Sequence, residues 1–297
     1  LEYIDFKGGP NTISTTTTAK LFRDPNSSNT EFANIYDDDI YVTAGLPAGY
    51  ASGSRESNLK ADFDKGVTIE CCAKTGSLAT SLTNKQVLVD IWNNELSCSA
   101  YGGTVKTNAN PHYGRITVTF DGISGGSPFK ITAQSGTAGN NGIFEQALGN
   151  DIKVNTFNDW KHYAFVFYNT GSNFVTKLYV DGRINDINTV NSVTVNEINS
   201  KNMVGRIGSL LTAPSGSAGN AQQVENMVAG GKLSGSIDEF RYWKVARSGG
   251  DIGKNWFTHV RGGTNTDISN TTLGIYYKFN EGTTGTATTD QNVLDYS

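Results

Sequence analysis

The chain has 297 residues, a formal net charge of -4, 18% charged residues and a mean hydropathy of -0.37. Without a run of Lys and Arg it lacks the clustered cations that a phosphate-backbone partner requires, and no apolar stretch approaches the roughly 20 residues of a bilayer span, so neither nucleic acid nor membrane insertion is expected. With 34 Gly against 6 Pro, 37% hydrophobic and 10% aromatic residues, and much Thr, Ser and Asn, the composition describes short strands joined by polar turns around a real core.

Taken in chain order, residues 1–6 alternate apolar and polar and are cut off by Gly8-Gly9-Pro10, which predicts a first strand. Residues 67–73 read Val, Thr, Ile, Glu, Cys, Cys, Ala, a strand with Val67, Ile69 and Cys71 on one face. Residues 86–92 predict another, with Val87, Val89 and Ile91 on one side and Leu88, Asp90 and Trp92 on the other. Further strands are expected at residues 115–120 and 128–133. The β-rich runs 160–168 and 177–180, joined by a polar segment, predict a hairpin. Asp181-Gly182 suits positive φ in a tight turn, and Arg183-Ile184-Asn185 begins a return strand, making a meander. Residues 235–243 read as a central strand with large side chains on both faces. Residues 251–257 form the expected short helix, with Ser248 or Asp251 as its cap. Residues 14–20, 211–221 and 265–272 are loops.

The 3 cysteines are Cys71, Cys72 and Cys98. Neighbours on a strand face opposite ways, so Cys71 and Cys72 do not share one environment. Free thiols packed as small hydrophobes are expected, with a single bridge from Cys98 to one of them as the alternative. Such usage suits assembly in a reducing cytosol.

Five segments in order carry a family resemblance: Val67-Thr68-Ile69-Glu70, Trp160-Lys161-His162-Tyr163-Ala164, Leu178-Tyr179-Val180-Asp181-Gly182, Gly205-Arg206-Ile207-Gly208 and Gly235-Ser236-Ile237-Asp238-Glu239-Phe240-Arg241. Together they resemble the laminin-G-like, concanavalin A-like jelly-roll superfamily. The resemblance implies an all-β, two-sheet antiparallel sandwich over residues 1–261 with at most one short helix near its C-terminal end. Residues 273–282 and 290–297 resemble the lead-in strands of a further such module, as in virion structural proteins of tailed marine phages that string these domains together. Residues 262–297 are therefore expected to be a linker or the first strands of a following module of a longer protein.

Retaining glycosidases need two carboxylates about 5 Å apart on one face. Glu70 beside Cys71 and the tandem Asp238-Glu239 do not supply them if neighbours alternate, so no catalytic residue is assigned. His112, His162 and His259 show no metal-ligand spacing, and His162 reads as a structural strand residue. The glycine pairs lack the lysine and the strand-to-helix context of a phosphate loop. The resemblance implies a structural Ca²⁺ held by an Asp of the last long strand with carbonyls of N-terminal loops. Asp238 matches it, and the competing expectation is that Asp238 bonds a backbone amide without metal. Asp37-Asp38-Asp39 is a solvated turn or a weaker metal candidate. For sugar binding by ring stacking, Trp92, Tyr101 and Tyr113 are the candidates, each with a core role as the alternative.

These readings point to a structural, decoration or adhesion module of a phage virion protein rather than an enzyme. Its expected partners are other virion proteins or copies of itself, together with host glycans, and its expected place is the virion, assembled in the host cytoplasm. The alternative is an extracellular carbohydrate-binding or adhesion module of a secreted bacterial protein. A glycoside hydrolase with an unfamiliar acid pair is a third possibility.

Overall fold

A computed structural model describes residues 4–7, 35–36, 62–75, 86–93, 114–120, 127–135, 144–152, 157–195, 203–208, 233–260 and 272–280. Its elements are β1 (Ile4–Lys7), β2 (Ile35–Tyr36), β3 (Val67–Lys74), β4 (Gln86–Asn93), β5 (Gly114–Phe120), β6 (Phe129–Ser135), β7 (Phe144–Leu148), β8 (Lys161–Thr170), β9 (Asn173–Val180), β10 (Arg183–Val190), β11 (Met203–Ile207), β12 (Ser234–Trp243), the helix α1 (Gly249–Asn255) and β13 (Leu273–Tyr277). A seven-stranded sheet runs β1-β12-β3-β8-β9-β10, with β13 also paired to β12, and a six-stranded sheet runs β2-β11-β4-β5-β6-β7. Every pair is antiparallel. The chain is thus an antiparallel two-sheet sandwich with one short helix among the described residues, as expected of a jelly roll.

The period-two pattern makes the core. Val67, Ile69, Cys71 and Ala73 of β3, Tyr163, Phe165 and Phe167 of β8, and Ile116, Val118 and Phe120 of β5 all enter one buried cluster. Phe129 sits at its middle, its ring centroid 4.9 Å from Phe120, 5.2 Å from Tyr163 and 5.0 Å from Phe165. Burying such a ring is worth about 1.5–3 kcal/mol, so the inter-sheet aromatic contacts hold the two layers in face-to-face register. Cys71 lies in this core and Cys72 on the opposite face, both as free thiols; Cys98 lies outside the described residues.

The hairpin and meander form as the alternation predicts. At the turn between β9 and β10, Asp181 has φ 48 and Gly182 φ 75, the positive pair that a two-residue hairpin turn favours. Of the two expected caps the structure uses Ser248, so the helix begins at Gly249: the Ser248 Oγ accepts the Asp251 N–H at 3.1 Å.

Two bulges and one added strand matter. In β4 the register shifts between Val87 and Val89. The bulge sends Leu88 into the core together with Val89 and Ile91 and leaves Val87 opposite Thr119, so the expected grouping of Val87 with Val89 fails at that one residue. In β12 a bulge lies between Asp238 and Arg241, described below. The added strand lies beyond the expected domain boundary at residue 261: β13 pairs with β12 and places Ile275, Tyr277 and Phe279 in the same core. This strand therefore completes the seven-stranded sheet.

One open side of the sandwich is closed by side chains. Asp186 Oδ2 accepts the Gly149 N–H at 2.9 Å, Asn185 Oδ1 accepts the Asn150 N–H at 2.8 Å, and Asn188 Nδ2 donates to the Ala147 carbonyl at 2.8 Å. The edge strand β10 is thereby clasped to the end of β7, the edge of the other sheet.

Candidate functional site

The outer face of the seven-stranded sheet is built from three cross-strand rows. One runs Leu273, Trp243, Thr68, Val166, Lys177, Ile187. The next runs Tyr276, Arg241, Glu70, Ala164, Tyr179, Ile184. The last runs Asp238, Cys72, His162 and reaches Asp181, whose N–H donates to the His162 carbonyl and whose Oδ1 accepts the His162 N–H. A roof formed by residues 244–260 lies over part of this face. Ile252 of α1 packs on Ala164, Val166 and Tyr179, while Val245 and Val260 pack against Trp243, Leu273 and Tyr276. The third row lies at the rim of that roof.

Beneath the roof is an ionic network. Glu70 is fully buried; its Oε1 accepts from Arg247 Nη1, its Oε2 lies 3.6 Å from Arg241 Nη1, and His162 Nε2 is 3.8 Å away. Burial alone would raise the Glu70 pKa. The hydrogen-bonding influence of His162 and the charges of Arg247 and Arg241 prevail and hold it at about 2, because hydrogen bonds to a carboxylate and neighbouring guanidiniums favour its charged form. Arg247 also lies 4.2 Å over the Trp243 ring, and its N–H donates to Thr68 Oγ1 at 2.9 Å.

At the rim, the β12 bulge overturns the expectation that Asp238 and Glu239 face opposite ways. Core residues Ile237 and Phe240 stand three apart, and the extra residue leaves both carboxylates off the core face. Glu239 adopts φ 53, a left-handed conformation that costs a non-glycine residue about 1–3 kcal/mol. The contacts it gains offset that strain. Glu239 Oε2 accepts from Arg241 Nη2 at 2.7 Å and from the Tyr276 hydroxyl, and Oε1 lies 2.7 Å from His259 Nδ1. Asp238 Oδ1 accepts the N–H of Glu239 at 2.8 Å. Desolvation raises the Asp238 pKa to about 6 despite that hydrogen bond, and the nearby Glu239 charge adds to the rise.

The segment 256–259 crosses this rim. Trp256 anchors one end: its ring lies 6.3 Å from that of His162, and a Cβ on Gly182 would fall 2.2 Å from its Cδ1. Thr258 anchors the other end, its carbonyl accepting from Arg241 Nη2. Between them Phe257, 68% exposed, stands edge-on to Trp256 at 5.5 Å. The patch thus offers an exposed ring, a half-buried indole, the partly exposed carboxylates Asp181 and Asp238, the mostly buried Glu239 and the exposed His259. Rings with adjacent hydrogen-bonding groups can stack on a pyranose and bind its hydroxyls.

Of the residues expected from the sequence, the structure places Asp238 in this patch, bonded to a backbone amide. Among the described residues no group of three or more His, Cys, Asp or Glu could hold a metal ion; the N-terminal loop carbonyls expected to complete a calcium site with Asp238 lie outside the described residues. The N-terminal strand does reach this place, since Ile4 pairs with Ile237. Tyr101, Tyr113, the Trp92 side chain, His112 and Asp37-Asp38-Asp39 lie outside the described residues. The Trp92 backbone sits in register with Val204 and Arg115 on the other sheet. Nearby on that sheet, Arg206, Asp90, Thr117 and Thr132 form a buried polar row in which Thr117 Oγ1 donates to Asp90 Oδ1 at 2.7 Å. Trp256, Phe257, Glu239 and His259 were not singled out as site residues from the sequence. The adjacent Trp256-Phe257 pair just beyond a capped short helix was the available signal.

No helix among the described residues is long and apolar enough to cross a membrane. No family model matches the chain, and no curated protein matches it. Among solved structures, the chain is similar to the CBM40 domain of the Ruminococcus gnavus IT-sialidase, at 13% identity, covering 86% of this chain and 96% of that one with a TM-score of 0.42. It is similar to a carbohydrate-binding protein assigned in Bacteroides ovatus, at 13% identity, 84% and 51% coverage and a TM-score of 0.41, so the chain spans about half of that protein's length. A heptameric SAP-like pentraxin from Limulus polyphemus is similar at 12% identity, 65% and 70% coverage and a TM-score of 0.35. The fold described above rests on the chain's own sheets and register.

Proposed function

We propose that the chain is a non-catalytic adhesion module that binds glycans at the rim of its seven-stranded sheet, carried on the surface of a phage virion. The observation that carries the reading is Phe257, 68% exposed beside Trp256, on a segment pinned at Trp256 and at Thr258. Phe257 and the half-buried Trp256 together present paired aromatic faces at the edge of the roof, and saccharide stacking gives them a role. The virion placement is supported by the free thiols of Cys71 and Cys72, which suit assembly in a reducing cytoplasm; burial pushes the Cys72 pKa up to about 12 and the Cys71 pKa well above its ordinary value, so both are poor nucleophiles.

A glycan array tests the binding reading. Several hits displaced by free sugar, and lost in F257A, are expected; a silent array at millimolar ligand would remove it. Copurification with phage particles tests the placement, while secretion as a free bacterial protein would favour the carbohydrate-binding alternative.

A second reading, glycoside hydrolysis by Asp238 and Glu239, draws on the bulge that leaves both off the core face and on the raised Asp238 pKa. It is the weaker reading, because both Glu239 oxygens are already held by Arg241, Tyr276 and His259. Release of reducing ends from a glycan hit, lost in D238N, would establish it.

A further inference from the structure

Three side chains of the buried network converge without touching. Glu70, Arg241 and His162 are 0%, 2% and 2% exposed, and Glu70 Oε2, Arg241 Nη1 and His162 Nε2 each lack a hydrogen-bond partner among the described residues. Oε2 lies 3.6 Å from Nη1 and 3.8 Å from Nε2, too far for direct hydrogen bonds and within the span of one bridging water. Each group is held from elsewhere. Glu70 Oε1 accepts from Arg247, Arg241 Nη2 donates to Glu239 and to the Thr258 carbonyl, and the His162 backbone is bonded through both its N–H and its carbonyl to Asp181. Approaching one another would pull the three away from those contacts, and a buried polar atom left without any partner is costly.

We propose, independently of what the rim binds, that a single water molecule is a built-in ligand of this cluster. It accepts from Arg241 Nη1, donates to Glu70 Oε2 and makes its third hydrogen bond with His162 Nε2. An internal water typically makes about three hydrogen bonds, the number these atoms offer. A donor-only guanidinium, an acceptor-only carboxylate and an imidazole match the two protons and two lone pairs of water. An anion in its place would be repelled by Glu70, and a cation by Arg241 and Arg247. The water transmits the hydrogen-bonding influence of His162 on Glu70 across a distance too long for a direct bond. It also joins the anchor of the roof to the strand residue whose ring stands 6.3 Å from Trp256.

A crystal structure of the whole chain at a resolution that shows ordered waters is the first test. The expected result is one water within about 2.7–3.2 Å of all three atoms. The three atoms in direct contact with one another, or no water between them, overturns the proposal. Oxygen-17 relaxation dispersion is the counterpart in solution, because a water enclosed by groups this deeply buried exchanges slowly enough to be counted. In H162F, which removes both ring nitrogens and extends the ring toward Glu70, the amplitude should fall by one long-lived water. An unchanged amplitude in folded H162F overturns the proposal; if that variant does not fold, the crystal structure of the parent decides alone.

Discussion

Arg247 donates through Nη1 to Glu70 Oε1 across a separation of 177 residues, and this one contact fastens the roof to the outer face of the seven-stranded sheet. It satisfies a fully buried carboxylate at a strand position and draws the start of the roof down over Trp243.

Glu70→Ala is expected to destabilise the protein by about 3–5 kcal/mol, because it leaves two buried or nearly buried guanidiniums without their shared anion. A urea melt of parent and variant reads the difference. Since the Glu70 pKa is depressed from 4.5 to about 2, its contribution is present above about pH 4.5 and is lost as the pH falls toward 2. A variant melting with its parent, or a parent whose Glu70-dependent stability survives at pH 2, would contradict the network.

Asp238 has the opposite sign. Its folded pKa of about 6 lies above the ordinary 3.8, so ionisation costs stability, and that cost is relieved as the pH falls from above 6 toward 3.8. D238N should therefore melt higher than the parent at pH 7.5, with the gap narrowing by pH 4. Equal melting at both values would argue against the desolvated carboxylate. Calcium is tested in the same series: a rise in Tm with calcium in the parent alone would give Asp238 a cation role, and silence with both calcium and EDTA would leave it bonded to the Glu239 amide.

Gly182→Ala is expected to cost about 1–3 kcal/mol through its φ of 75 alone, and more through the Trp256 indole, which lies 2.2 Å from where the new Cβ would stand. Tryptophan fluorescence should report a displaced, more solvated indole, with glycan affinity falling alongside. Unchanged emission with unchanged stability would show that Trp256 is not seated on this turn.

The clasp between the sheet edges is tested at Asp186. Replacing it with Ala removes the acceptor for the Gly149 N–H, and a hydrogen bond to a charged group contributes about 1.5–3 kcal/mol. Hydrogen exchange at Gly149 should quicken in the variant while amides of β8 keep their protection. Unaltered exchange at Gly149 would remove the clasp.

The strands were legible because alternation is a local property: Val67-Ile69-Cys71 and the 160–182 meander could be placed from the order of residues alone. The bulges were not, since one inserted residue leaves no mark in a single strand's pattern and shows only against its partner, as at Leu88 and at Asp238-Glu239. That is why the tandem carboxylates were assigned to opposite faces. The site was less legible still. Glu70 looks like a solvent-facing strand residue until Arg247 covers it, and Trp256, Phe257 and His259 read as the tail of a short helix until their contacts with Gly182 and Glu239 are seen. Segment 273–277 resembles a lead-in strand because it is an amphipathic β-sequence, and such a sequence can join the preceding sheet as readily as a following one.

The most direct measurement is a titration of the protein with its best array ligand, following the four tryptophan indole N–H signals by NMR, with W256F assigning one of them. The Trp256 signal should move in a saturable way, and F257A should abolish the shift while leaving the fold intact. Saturable binding that moves other indoles and leaves Trp256 still would put the binding surface elsewhere on the sandwich.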